Sequence, residues 1–369
     1  MDLCPAFIDP VNRYESKLDR DLYRTSTKQF EDGQYETSFR TFMNYVNREM
    51  AEGCEIEPKR WQLPHGSLVV DMSIKDDLFE IKVPFIKLPA DRLAPILRRS
   101  LDINTNVLTL SQIKLSDDGL YFHYSCPMAL AEPFKIYGII REICINGDSY
   151  DDEFIEEFGA EALREKQVTY LPEDVLEKAW NQFHQILDEA MGYDEYFVAK
   201  RWNGLCVDIL GYALMKIDYS LAPQGYLRSK LEKSISWLWS RSPTEEVLAN
   251  LRQDFKEFKS IEKEKFFKDF YRTTFFIHAK MSSEIEGCQK ALAGRYDWAG
   301  QDKARSNHLG LTVNYIYGAY DLFYKFFVPT KLEEELQRTM EACSNKTWKE
   351  ASELCWTSFQ KIMDPAFAS

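Results

Sequence analysis

The order of apolar and polar positions divides this chain into two regimes. In the first, Leu18, Leu22 and Phe30 begin an apolar stripe that stops at Asp32-Gly33. Tyr35, Phe39, Phe42, Val46 and Met50 carry a second one. Spacings of three and four put such residues on one face of a helix. Gly53 follows, as a helix-ending glycine would. The period then drops to two. Leu68, Val70, Met72 and Ile74 alternate with polar positions, as do Phe79, Ile81, Val83 and Phe85 beyond Lys75-Asp76-Asp77. Alternation about a turn-rich link predicts an antiparallel hairpin, with Trp61 and Leu63 in a strand just before it.

Pro89, Leu93, Ile96, Leu97 and Leu101 predict a helix that stops at Asn104-Thr105-Asn106. A second hairpin follows, with residues 107–115 and 120–126 as strands and Asp117-Asp118-Gly119 as the turn. Asp-Gly suits the positive φ of a tight hairpin turn. Phe134, Tyr137, Ile140 and Cys144 predict a helix from Pro133, and the acidic residues 148–161 read as a solvated loop after it. Hairpins separated by helices specify an α+β unit with an antiparallel sheet.

From Pro172 only helical periods remain. They predict helices over 175–190, 197–217, 227–239, 245–293, 307–327, 331–342 and 346–363, with a cap at Thr347 to Glu350. The expected organisation is an α+β domain with an N-terminal helical hairpin over residues 1–165, then an all-helical bundle over 166–369. Two aromatic clusters stand out in that bundle. One is Tyr315, Tyr317, Tyr320, Phe323, Tyr324, Phe326 and Phe327; the other is Trp237, Trp239, Tyr271, Phe275 and Phe276. They read as bundle core, the alternative being an aromatic groove for a partner.

The formal net charge of −13 argues against nucleic acid as a partner, since an acidic surface repels phosphate. The bland reading of Lys59-Arg60 and Arg98-Arg99 is solvated charge. No run approaches the ~20 apolar residues of a membrane span, and the first residues lack a signal-peptide pattern. The eight Cys include no Cys-x-x-Cys pair, which suits reduced thiols and a cytoplasmic setting.

Chemistry-bearing patterns are few. The five His form no metal-binding spacing, and phosphate-cradling glycine loops and nucleophile elbows are missing from the sequence. Neither a cofactor nor a metal is expected. His123 and His278 read as ordinary surface groups. His123 and Cys126 are three apart in a strand and so fall on opposite faces, which argues against a catalytic pair.

The order of elements between Tyr35 and Ile145 resembles the class I type III secretion chaperone fold and the YbjN-like proteins, built as α-β-β-β-α-β-β-α. The resemblance is carried by Ser38-Phe39-Arg40-Thr41-Phe42-Met43 on the first helix and Gly66-Ser67-Leu68-Val69-Val70-Asp71 opening a strand. It continues with residues 93–104 on the middle helix and Gly119-Leu120-Tyr121-Phe122 opening the last strand. It covers about a third of the chain; the large helical half has no counterpart in those families.

What the resemblance implies is a binding module that holds an extended segment of another protein on its sheet and helix surfaces, with a homodimer through the middle helix. The expectation is therefore a non-catalytic, chaperone-like protein, with Leu93, Leu97, Tyr121 and His123 as contact residues. The alternatives are an enzyme whose site lies in the helical half without a linear motif, and a self-assembling structural subunit.

Overall fold

The computed structural model describes residues 3–14, 18–48, 50–89, 92–116, 118–272 and 280–368. Asp117, Phe275, Phe276 and His278 lie outside these residues.

The α+β half opens with α1 (Arg20–Glu31), α2 (Tyr35–Val46) and the short α3 (Met50–Gly53). Four strands follow: β1 (Glu55–Glu57), β2 (Arg60–His65), β3 (Leu68–Lys75) and β4 (Leu78–Lys87). Then come α4 (Leu93–Asn106), β5 (Gln112–Ser116), β6 (Gly119–Pro127) and α5 (Pro133–Phe158). The sheet is antiparallel in the order β1-β2-β3-β4-β6-β5, and β7 (Glu161–Ala162) pairs with the end of β4.

Local chemistry explains the hairpins. Asp76 and Asp77 both take positive φ, 49° and 63°, as a two-residue turn between twisted strands requires. Gly119 takes φ 155°, and a Cβ there would lie 2.3 Å from the Ile86 carbonyl oxygen. Only glycine fits this close approach of two strands.

Alternation then gives the sheet two unlike faces. Trp61, Leu63, Met72, Phe79, Ile81, Val83 and Phe122 are buried. Phe39 of α2 meets the Trp61 and Phe79 rings, each at 5.0 Å. Ile136, Ile139, Ile140 and Ile143 of α5 belong to the same core. The opposite face is polar, with the cross-strand row Asp71, Lys82, His123 and Gln112.

α5 runs on through the acidic stretch to Phe158 and ends at Gly159 in a left-handed conformation. The expected loop is thus the last turns of a helix, held by Phe154, which is buried against Phe85 at 5.2 Å. Asp151 is buried as well.

The remaining helices are α6 (Glu173–Ala199), α7 (Asn203–Leu221), α8 (Gly225–Ser236), α9 (Thr244–Lys259), α10 (Lys263–Lys268), α11 (Ile285–Ala304), α12 (His308–Lys325), α13 (Thr330–Cys343) and α14 (Trp348–Met363). The single helix expected over 245–293 is interrupted. α9 ends at Ser260, and extended backbone at Tyr271–Arg272 pairs with Thr169–Tyr170. The capping box at Thr347 and Glu350 is present, each side chain bonding the other's backbone N–H.

α7 is buried from Ile209 through Leu221, including Lys216 and Asp218. Tyr315, Tyr317, Tyr320 and Phe323 are buried in the bundle, whereas Trp239 is exposed. The Tyr315 hydroxyl bonds the Ser358 hydroxyl at 2.8 Å, which satisfies its polar end within the core.

The first residues lie against the helices. Cys4 and Ile8 are buried in the bundle core. The Cys4 N–H donates to the Lys346 carbonyl at 2.7 Å, the Val11 N–H to Ser220 at 2.8 Å, and Lys216 Nζ to the Ala6 carbonyl at 2.6 Å. A sequence division at residue 165 groups these residues with the α+β half; their contacts are with the other one. Among the described residues, no helix is long and apolar enough to cross a membrane.

One ion pair closes the sheet's outer corner. Arg40 donates to both oxygens of Glu55 at 2.8 Å, and the Lys59 N–H adds a third bond at 2.8 Å. Arg40, and then the Lys59 N–H, hold Glu55 down at about 2. A depressed carboxylate contributes stability above its unfolded value and loses it as pH falls through its folded value. Because Arg40 is about a third exposed and water screens the pair, the gain is at most about 1 kcal/mol. Glu55→Gln is expected to lower the melting temperature slightly at neutral pH. That difference should disappear as pH falls from 4.5 towards 2.

Candidate functional site

α4 is seated on the core by Ile96, Ser100 and Ile103. Flanking that buried stripe are Leu93 and Leu101, both exposed, with half-buried Leu97, which packs against the core, between them. These three are four residues apart and form one row along the helix. Exposed apolar side chains continue at Val107 and Leu110, and at Leu115 on edge strand β5. Five of the eighteen large apolar side chains exposed among the described residues therefore fall between residues 93 and 115. Contiguous exposed apolar side chains, unlike single ones, mark interaction surfaces, and Leu93, Leu97 and Leu101 are contiguous along α4.

Two polar side chains hold this surface in place. Asn104 Nδ2 donates to the Ile113 carbonyl at 2.9 Å, and the Ile113 N–H donates to Asn104 Oδ1 at 2.6 Å. The carboxamide thus stands where the next strand would, pairing the outer edge of β5 at that residue. By strand alternation the N–H and C=O of Leu115 face outward too. Glu142 of α5 accepts from the Thr109 N–H at 2.9 Å and from the Ser111 hydroxyl at 2.6 Å, fixing the connection that carries Val107 and Leu110.

Tyr121 and His123 do not join this row. They project from the polar face of the sheet, away from the core in which α4 is seated. The Tyr121 hydroxyl donates to Asp118 at 2.6 Å, and Lys82 lies over its ring at 4.2 Å. Burial, and then the Asp118 bond, push Tyr121 up to about 12. His123 Nε2 lies 2.9 Å from Glu80. Cys126 is buried on the opposite face, so the pair with His123 does not form. The basic dipeptides are largely neutralised. Lys59 pairs with Glu36 at 2.7 Å, and Arg99 with Glu153 at 2.6 Å.

A second constellation lies in the helical half, and no sequence motif announced it. A cleft of about 450 Å³ opens beside Tyr219 and Phe323, whose rings stack at 4.2 Å. Phe326, Phe327 and Val328 form its wall. Its polar edge carries Arg13, which reaches Glu333 at 2.9 Å; Glu333 also accepts from the Tyr219 hydroxyl at 3.2 Å. Deeper in, Lys280 pairs with Asp218 at 3.0 Å, both buried. The Tyr14 ring lies under Lys280 at 5.1 Å and under Arg228 at 5.0 Å, and Arg228 pairs with Glu232 at 2.6 Å. Burial pulls Lys280 below the ordinary lysine range, Arg228 adds to that pull, and Asp218 opposes it.

Among the described residues, no three His, Cys, Asp or Glu side chains converge as metal ligands would. Cys343 and Cys355 lie 3.6 Å apart between α13 and α14 as buried thiols that share a hydrogen bond. Compared with protein-family models, curated proteins and solved structures, the chain matches none.

Proposed function

We propose that this chain is a non-catalytic binding protein whose α+β half holds a segment of a partner protein along the outward face of α4 and the edge of β5. The observation that carries the reading is the row Leu93, Leu97 and Leu101, exposed in part or whole, on a helix that Asn104 bonds to β5. An apolar row costs free energy in water unless a partner covers it. Leu115 offers outward main-chain groups on the edge strand that Asn104 ties to α4, which an extended segment can use to add to the sheet edge. Leu93 and Leu97 are contact residues in this reading; Tyr121 and His123, engaged on the polar face, are not. The order of elements from α2 to α5 supports it as well, because it resembles the secretion-chaperone and YbjN-like pattern with the short α3 and β1 added.

The test is a double substitution, Leu93→Asp with Leu101→Asp, in the full-length chain. Both side chains are exposed, so the fold should survive, as circular dichroism will show. A photocrosslinker at position 97 and a pulldown from native lysate then identify what covers the row. The expected result is one crosslinked partner whose retention falls about tenfold or more in the double variant. Equal retention by the variant overturns the reading. Crosslinking of the chain to itself, with a dimer by light scattering, would make a second copy the occupant.

A further inference from the structure

The cleft of the helical half plays no part in that binding role, yet it brings together what amine chemistry needs. A lysine becomes a nucleophile when its ammonium is desolvated or stands near another cation. Lys280 meets both conditions. It is buried in the wall of the cleft, and Arg228 shares the Tyr14 ring with it. A buried carboxylate, Asp218, lies 3.0 Å from Nζ and can take its proton. The space beside it is walled by Phe323, Phe326 and Phe327, and its volume of about 450 Å³ suits a small ligand.

We propose that Lys280 captures an aromatic aldehyde in this cleft as a Schiff base. The ammonium gives one proton to Asp218, and the nitrogen lone pair attacks the carbonyl carbon. A C–N bond forms as the C=O π bond breaks, and the proton shed by the now-cationic nitrogen passes to the oxygen to give the carbinolamine. Asp218 returns its proton to the hydroxyl, the C–O bond breaks and water leaves, so that aldehyde and ammonium yield a protonated imine and water with no oxidant or reductant. Phe323, Phe326 and Phe327 offer the apolar surface on which the ring rests.

The experiment uses the full chain at neutral pH with 2-naphthaldehyde and cyanoborohydride, which reduces an imine to a stable secondary amine. Peptide mass spectrometry reads the site of labelling. Lys280 should label about tenfold faster than exposed Lys331, despite its burial. Acetaldehyde, which has no ring, should show no such preference. Lys280→Arg should remove the fast adduct. Phe327→Ala, at a half-buried position that the core can spare, should slow it. Labelling of Lys280 no faster than Lys331 in the wild-type protein overturns the proposal, and this comparison does not depend on any variant folding.

Discussion

Asp218→Ala is expected to cost the helical half about 3–5 kcal/mol, close to the margin on which most domains survive. The reason is the partner left behind. Asp218 and Lys280 are both almost fully shielded from water, 3.0 Å apart. Removing the carboxylate strands an ammonium that burial already disfavours. The pH dependence follows with a definite sign. A lysine depressed in the native state binds fewer protons folded than unfolded between its folded value and the ordinary lysine range. Its penalty is therefore full below that window and is relieved as pH rises through it. Asp218 opposes the depression, so the variant should begin to regain stability at a lower pH than the wild type. Denaturant unfolding followed by circular dichroism across the alkaline range measures both effects. The double substitution Asp218→Leu with Lys280→Met should recover most of the loss, because a buried pair can be exchanged for apolar packing. A loss below about 1 kcal/mol for Asp218→Ala would mean that water reaches the ammonium.

That pair also shows where sequence reasoning stops. Features set by neighbouring residues were legible. The Asp76-Asp77 turn, the alternation of β3 and β4, and the capping box of Thr347 all lie within a few residues of their causes. The acidic residues after Asn146 misled because polarity suggested a loop, whereas Phe154 anchors them as a helix from one position. Asn104 read as a helix end, but its pairing with Ile113 depends on how the chain returns nine residues later. Of the four residues expected from the sequence to contact a partner, Leu93 and Leu97 share a helix face by periodicity. Nothing local says that Tyr121 and His123 project from the other side of the sheet. The cleft is assembled from residues 13–14, α7, Lys280 and the α12–α13 connection. One signal was available. Lys216 and Asp218 interrupt an otherwise apolar stretch of α7, and charges in a helix buried all round must find partners.

The second large effect belongs to the other core. Trp61→Ala should cost about 3–5 kcal/mol, the usual range for emptying a large aromatic site. Trp61 is fully buried, its edge against Phe39 and the Arg40 guanidinium over its ring at 5.2 Å. Its Nε1–H donates to the Ala51 carbonyl at 3.0 Å, so the truncation also orphans a buried acceptor and loosens α3 from β2. Trp61→Phe separates the two contributions. It keeps an aromatic ring against Phe39 and loses the indole N–H, so its cost should be nearer 1–2 kcal/mol. The two halves have separate buried clusters, one around Trp61 and the other around α7. If each unfolds as its own unit, Trp61→Ala will shift one transition of the denaturation curve and Asp218→Ala the other. Hydrogen exchange distinguishes the cases, because amides of β2 to β4 and amides of α7 report the two cores separately. Equal loss of protection in both cores from Trp61→Ala would mean that the contact of α5 with α8, beside Gly225 and Asp152, couples the halves into one cooperative structure.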